Sequence, residues 1–332
     1  MHFHFHKALP SQTRIAIVAP SGAALDDTDI GAGIRALENA GFLVANFYQH
    51  EQKFQRFAAS DEARLQQLQM ALADPEIDIV MGLRGSYGLS RILDRIDFDS
   101  IAASGKLLVG YSDFNALQLA MLAKTQTASL CGPMLCNDFT RADLRPYTQE
   151  QFLMAVHERR MQVSFNSDEA SPLDVQGRLW GGNLAMLCHL LGTPYFPHIE
   201  GGILFVEDIA EHPFRVERML LQLHFAGVLE RQKAIVLGDF SAYRLAAQDN
   251  GYDFDAMLRF TDLDAEDALV GEIPPSGGTI TVRSLAANAV MAGCRPEYFP
   301  ILIAAFQAIA DPAYRIFQGA ITTHPGGNAV VV

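Results

Sequence analysis

No run in this 332-residue chain stays apolar for the roughly 18 to 20 residues that a bilayer-spanning helix requires. Its N-terminus also lacks the charged, apolar and small-residue order of a secretory signal, so a cytoplasmic protein is expected. Positive charge is scarce: 25 Lys and Arg against 38 Asp and Glu leave a formal net charge of -13. That balance argues against a nucleic-acid backbone or an anionic membrane surface as partner. Cysteine is sparse, and Cys131, Cys136, Cys188 and Cys294 follow no metal-ligand spacing. Their apolar or small neighbours suggest buried thiols in a reducing compartment. Phosphate-binding signatures are missing as well, with neither G-x-G-x-x-G nor G-x-x-x-x-G-K-[ST] present. Internal repeats and low-complexity segments are absent. What remains is a globular composition, 49% apolar and 19% charged, long enough for two domains with cores of their own.

The opening MHFHFH would place His2, His4 and His6 on one face of a strand, and reads as a frayed terminus more readily than as a metal site. From Arg14, RIAIVAPSG predicts a buried strand closed by a Pro-Ser-Gly turn. IGAGIRALENAGF predicts a helix, LVANFY a strand, and residues 62–73 a second helix. A third strand over 77–85 leads into Gly85-Ser86-Tyr87-Gly88, with LSRILDRI helical after it, and a fourth strand ends at Gly110-Tyr111-Ser112-Asp113 before another helix. Strands alternating with helices call for a parallel sheet flanked by helices, which binds ligands at the C-terminal ends of its strands. The turns after strands one, three and four would open at that edge. Past residue 140 the alternation weakens, a linker is expected near 140–165, and a strand-rich α+β domain follows. The expected domains are 13–150, 165–264 and an atypical helical tail over 265–332.

Ser112 sits where a strand turns into a helix, which is how a nucleophilic serine is commonly mounted beside free helix amides. The competing reading is that Ser112 or Asp113 caps the helix. Glu207 ends the apolar strand ILFV and would serve as the carboxylate that orients a catalytic base; the alternative is that Glu207 or Asp208 pairs with an arginine such as Arg215 or Arg218. Arg84 would bind a substrate carboxylate, or cap the sheet edge. No histidine stands out as the base: His189 lies in an apolar helix pattern, His212 and His224 flank the helix after Glu207, and His198 and His324 fall in loops.

Eight motifs, IAIVAPSG, GLRGSYGLSRILDRID, LVGYSDFNALQLAM, GPML, GRLWGGNLAML, LLGTPY, ILFVEDIAEHPFRVERMLLQL and AIVLGDF, occur in an order and spacing that resemble the LD-carboxypeptidases of murein recycling, over about residues 13–262. The resemblance implies a serine peptidase without metal or cofactor, which hydrolyses the bond between the L-centre of a diamino acid and a terminal D-alanine in murein tetrapeptide. It carries the nucleophile to Ser112, the triad acid to Glu207 and the oxyanion-hole amides to Ser86 and Asp113. Arg84, Tyr87, Trp180 and Asn183 are expected at the substrate. A homodimer is expected from the same resemblance. Relatives that cleave peptide-nucleotide antibiotics offer a second substrate class.

Two departures matter. The family's R-G-G-Y-G reads R-G-S-Y-G here, so Ser86 would be strained if the position demands positive φ. The family's triad histidine belongs to a G-x-x-F-G-H turn, and the matching region, GEIPPSGG over 271–278, has none. From about residue 269 the chain looks instead like a group of uncharacterised proteins. His324 is then the candidate base. The alternative is a murein-peptide-binding protein with an incomplete triad.

Overall fold

The computed structural model describes residues 12–141, 146–158, 162, 175–261, 269–273 and 278–281. Residues 1–244 and 245–332 are separate compact units. In the first, strands β1 (Arg14–Val18), β2 (Leu43–Asn46), β3 (Ile79–Gly82), β4 (Leu107–Gly110) and β5 (Leu130–Cys131) form one sheet in the order β2-β1-β3-β4-β5. All pairings are parallel, with Ile15 opposite Ile79 and Val80 opposite Leu108. Every residue of β3 and β4 is buried, as continuous apolar runs covered on both faces must be.

Helices α1 (Ile30–Asn39), α2 (Asp61–Ala73), α3 (Phe98–Ser104) and α4 (Asn115–Thr125) make the crossovers. Asp29, Ser60 and Asp97 cap the first three through their side chains. Because β2 and β3 lie on opposite sides of β1, the strand order reverses between β1 and β3, and the turns after these two strands face one crevice.

LSRILDRI differs from the expected helix. It forms two short 3₁₀ turns, Leu89–Arg91 and Leu93–Arg95, broken at Ile92 (φ -117°, ψ 0°). The first turn is pinned from outside, its Leu89 amide on Asp113 and its Arg91 guanidinium on Asp61. Helix α5 (Pro146–Leu153) and the turn Met154–Glu158 bury Phe152 and Val156 in the core of the first sheet, beside Phe42 and Phe139.

A second parallel sheet follows, β6 (Leu179–Asn183), β7 (Ile203–Ile209) and β8 (Ala234–Ser241), in the order β6-β7-β8. Its crossovers are α6 (Leu184–Leu190) and α7 (Pro213–Phe225). Residues along β7 alternate in burial up to Asp208, the pattern of a strand with one covered face. The second unit contains α8 (Phe254–Thr261) and an antiparallel hairpin, β9 (Leu269–Ile273) with β10 (Gly278–Thr281). The expected tail helices, the strand MQVSFN apart from Gln162, and His324 lie outside the described residues. Among the described residues no helix is long and apolar enough to cross a membrane.

Candidate active site

Ser112 follows β4 in a left-handed backbone conformation, φ 59°, and opens a 3₁₀ turn that runs into α4. Gly110 makes this turn possible: a Cβ there would meet the Phe114 ring at 2.6 Å. Neither Ser112 nor Asp113 caps the helix, since neither the 3₁₀ turn nor α4 has a side-chain cap. The Asp113 carboxylate instead accepts from the Leu89 amide at 2.9 Å. Helix capping therefore engages neither the Ser112 hydroxyl nor the amides at the start of α4, where negative charge is favoured.

The turn after β3 closes over this serine. A Cβ on Gly85 would lie 2.7 Å from Ser112 Oγ and 3.5 Å from the Asp113 amide nitrogen, so only glycine lets the backbone come this near. The Gly85 carbonyl accepts from the Gly22 amide at 3.0 Å, tying in the turn after β1. The three turns expected to share an edge are thus packed on one another. Ser86 has φ 79°, so the serine stands where its family resemblance has glycine and pays the strain that follows. Its Oγ accepts from Arg56 at 3.3 Å.

Arg84 is half-buried and donates to the Ala23 carbonyl at 2.9 Å. Tyr87 is exposed, with its ring 5.9 Å from that of Phe57 and 5.8 Å from the Arg56 guanidinium. Asn183 caps α6 by accepting from Met186, donates to Asp208 at 3.0 Å, and gives its own amide to Asn115 Oδ1 at 2.9 Å. Trp180 is buried, donating to Gln232 at 2.8 Å, and lines a cavity of about 540 Å³ with Gln118, Leu122, Cys131, Arg178 and Phe205. That cavity runs along α4 and β6; its lining includes neither Ser112 nor Glu207.

Glu207 pairs in register with Asn183, and its Oε1 is buried with no hydrogen-bond partner among the described residues. Burial pushes its carboxyl up to about 7; the nearby Asp208 and Asp239 carboxylates add to this and Asn183 offsets part of it. Its charge is felt at Tyr111, the residue before Ser112, and at Cys131. Of the alternative pairings, Arg215 bonds Glu211, and Asp208 accepts from Asn183, Ala185 and Ile209. Cys131, Cys136 and Cys188 are free thiols, each pushed up by burial to about 11 or 12, and only Cys136 is fully buried. Among the described residues no group of three or more His, Cys, Asp and Glu could hold a metal. His189, on the apolar helix pattern of α6, is exposed; burial raises the Asp113 carboxyl, and His189 is among the groups that offset part of that rise.

Sequence reasoning missed two arginines. Arg56 follows no periodic pattern. Arg64 is fully buried on α2, at a position where a charged residue reads as solvent-facing; only its place beside Leu65 and Leu68 hinted otherwise.

A crevice at a strand-order reversal, with a serine on a strand-to-helix turn and glycine backbone against its hydroxyl, defines a hydrolase of the nucleophilic-serine class. Residues 15–132 match the LD-carboxypeptidase N-terminal domain and residues 176–266 the LD-carboxypeptidase C-terminal domain. A probable murein peptide carboxypeptidase from Bacillus subtilis is 32% identical over 240 residues, 70% of this chain and 74% of that protein. The murein tetrapeptide carboxypeptidase of Pseudomonas aeruginosa is 31% identical over 245 residues, 70% and 78% of the two chains. The crystal structure of a muramoyltetrapeptide carboxypeptidase from Oxalobacter formigenes superposes with a TM-score of 0.71 at 47% identity, covering 76% of this chain and 85% of that one. The chain belongs to the LD-carboxypeptidase family, whose members are serine carboxypeptidases.

Proposed function

We propose that the chain releases terminal D-alanine from murein tetrapeptides in the cytoplasm, as a homodimer and without a nucleic-acid partner. Ser112 Oγ attacks the scissile carbonyl and gives up its proton to the base, and the amides of Ser86 and Asp113 receive the oxyanion. Collapse of the tetrahedral adduct transfers that proton to the departing D-alanine amine, and water then hydrolyses the acyl-enzyme to free the tripeptide and the serine. Glu207 orients the base, and His324 is the base this chain offers in place of the family's turn histidine. Arg84, Tyr87, Trp180 and Asn183 belong to the substrate surroundings, with the nucleophile in 13–150 and the triad acid in 165–264.

The observation that carries this reading is the approach of the Gly85 backbone to the Ser112 hydroxyl, at the distance that 2.7 Å to a notional Cβ implies. Incubation with murein tetrapeptide, with D-alanine measured by mass spectrometry, tests it. Ser112→Ala is expected to lower release by about 10³-fold or more, and a wild-type protein that releases none defeats it. A peptide-nucleotide conjugate in parallel assays separates the two substrate classes.

The histidine-free stretch 271–278 favours a second reading, in which the triad is incomplete and the protein holds tetrapeptide without cutting it. Tight binding without release, unchanged in His324→Ala, would select that reading.

A further inference from the structure

Fully buried Arg64 donates through Nη1 to the Gly88 carbonyl at 2.9 Å, and Asp113, 2% exposed, accepts the Leu89 amide on Oδ2 at 2.9 Å. Those two groups, the carbonyl of residue 88 and the N–H of residue 89, belong to a single peptide unit. One peptide plane is therefore gripped at its oxygen by a guanidinium and at its nitrogen by a carboxylate, both withdrawn from water. Hydrogen bonds to charged partners in such surroundings are shorter and about twice as strong as neutral ones.

The grip reaches further. Arg64 Nη1 also bonds the Pro20 carbonyl in the turn after β1, and Nη2 bonds Asp61 at 2.5 Å, which orients the guanidinium from its own helix. Asp61 in turn receives Arg91, from the segment just past Leu89, at 2.7 Å. The Phe57 ring lies against both guanidinium carbons, 5.1 Å from that of Arg64 and 5.2 Å from that of Arg91. Gly88 suits its place: φ is 147°, and a Cβ would sit 3.0 Å from Arg64 Nη1.

We propose that Arg64 and the Asp113 side chain are positioning residues: by clamping the Gly88–Leu89 peptide they fix the 84–88 turn, with its Ser86 amide, relative to the Asp113 amide, and so set the spacing of the two oxyanion donors. This deepens the carboxypeptidase reading and rests on it for its catalytic consequence. Asp113 then acts twice, with its backbone as donor and its side chain as the strut that holds the other donor in place. Preorganised donors lose their effect when their spacing drifts, whereas ground-state binding made elsewhere on the substrate does not.

The experiment reads two quantities in the full-length protein. The first is deuterium exchange at the Leu89 amide, which needs no substrate. The second is the division between kcat and KM for D-alanine release. Arg64→Lys keeps a cation but not the fork whose Nη1 bonds the Gly88 and Pro20 carbonyls while Nη2 is held by Asp61, and is expected to speed exchange at Leu89 by about tenfold or more and to lower kcat by about tenfold to a hundredfold with KM nearly unchanged. Asp113→Ala is expected to do the same more strongly, and Asp113→Asn, which retains an acceptor, to recover about tenfold of that loss in both readouts. Slow exchange at Leu89 in Arg64→Lys overturns the clamp, and this variant decides even if Asp113→Ala does not fold. Exchange at Leu89 in Asp113→Ala as slow as in the wild type would overturn it too. A wild-type protein that releases no D-alanine refutes the carboxypeptidase reading and the catalytic consequence with it, while exchange still decides whether the clamp exists.

Discussion

Ser86 carries a cost that its neighbours make visible. With φ at 79° its Cβ is placed against the following backbone, a strain of about 1 kcal/mol or more. A Cβ on Gly22 would meet the Ser86 Cβ at 2.6 Å, so the side chain is also hemmed in by the turn after β1. In return its hydroxyl accepts from Arg56, a long and exposed bond of 3.3 Å. Such a bond contributes less than the strain removes. Ser86→Gly is expected to raise stability by about 0.5 to 1 kcal/mol, after allowing for the greater freedom of glycine in the unfolded chain. Urea denaturation measures this; a loss of stability would show that the Arg56 bond outweighs the backbone strain.

At the scale of elements, one contact joins the helix that follows Ser112 to the sheet that carries Glu207. The Asn115 carboxamide accepts from the Asn183 amide at 2.9 Å and donates to Gln118 at 2.7 Å, while Gly182 approaches so near that a Cβ would lie 2.7 Å from Asn115. Asn115→Ala strands a buried N–H at the end of β6 and is expected to cost about 1 to 3 kcal/mol in chemical denaturation. It should also depress turnover, because Glu207 is the register partner of Asn183. Elements of this kind were legible in unequal measure. RIAIV, IVMG and LLVG declare themselves as covered parallel strands because nothing polar interrupts them. The Ser112 turn was legible from the abrupt change of period at Gly110. LSRILDRI has helical spacing, yet it breaks at Ile92 because Asp113 and Asp61, distant in the chain, hold its first turn. The burial of Arg64 was hidden for the same reason: besides Asp61 it bonds the carbonyls of residues 20 and 88, and backbone acceptors leave no mark in a sequence.

For the molecule as a whole, the raised carboxyl of Glu207 links folding to pH. Its folded value of about 7 lies above the ordinary 4.5, so the folded state holds this proton more tightly than the unfolded chain does. Stability contributed in this way is present below 4.5 and is lost as pH rises to about 7. Asp208 and Asp113 are raised chiefly by burial and act in the same sense, whereas Asp61, held down at about 2 by Arg91 and Arg64 against its own burial, acts only in stronger acid. Thermal melting is therefore expected to shift downward between pH 4.5 and 7, and Glu207→Gln to flatten that slope. Activity should run the opposite way, with kcat/KM climbing through about pH 7 as Glu207 ionises. A profile flat across that interval would separate Glu207 from the chemistry.

The three turns that meet at Ser112 come from β1, β3 and β4, which are joined rung by rung but lie far apart along the chain. No hairpin or single crossover contains a working fragment of the crevice. The approach of Gly85 to the Ser112 hydroxyl is therefore expected to form only once β4 has paired with β3, a contact between segments distant in sequence.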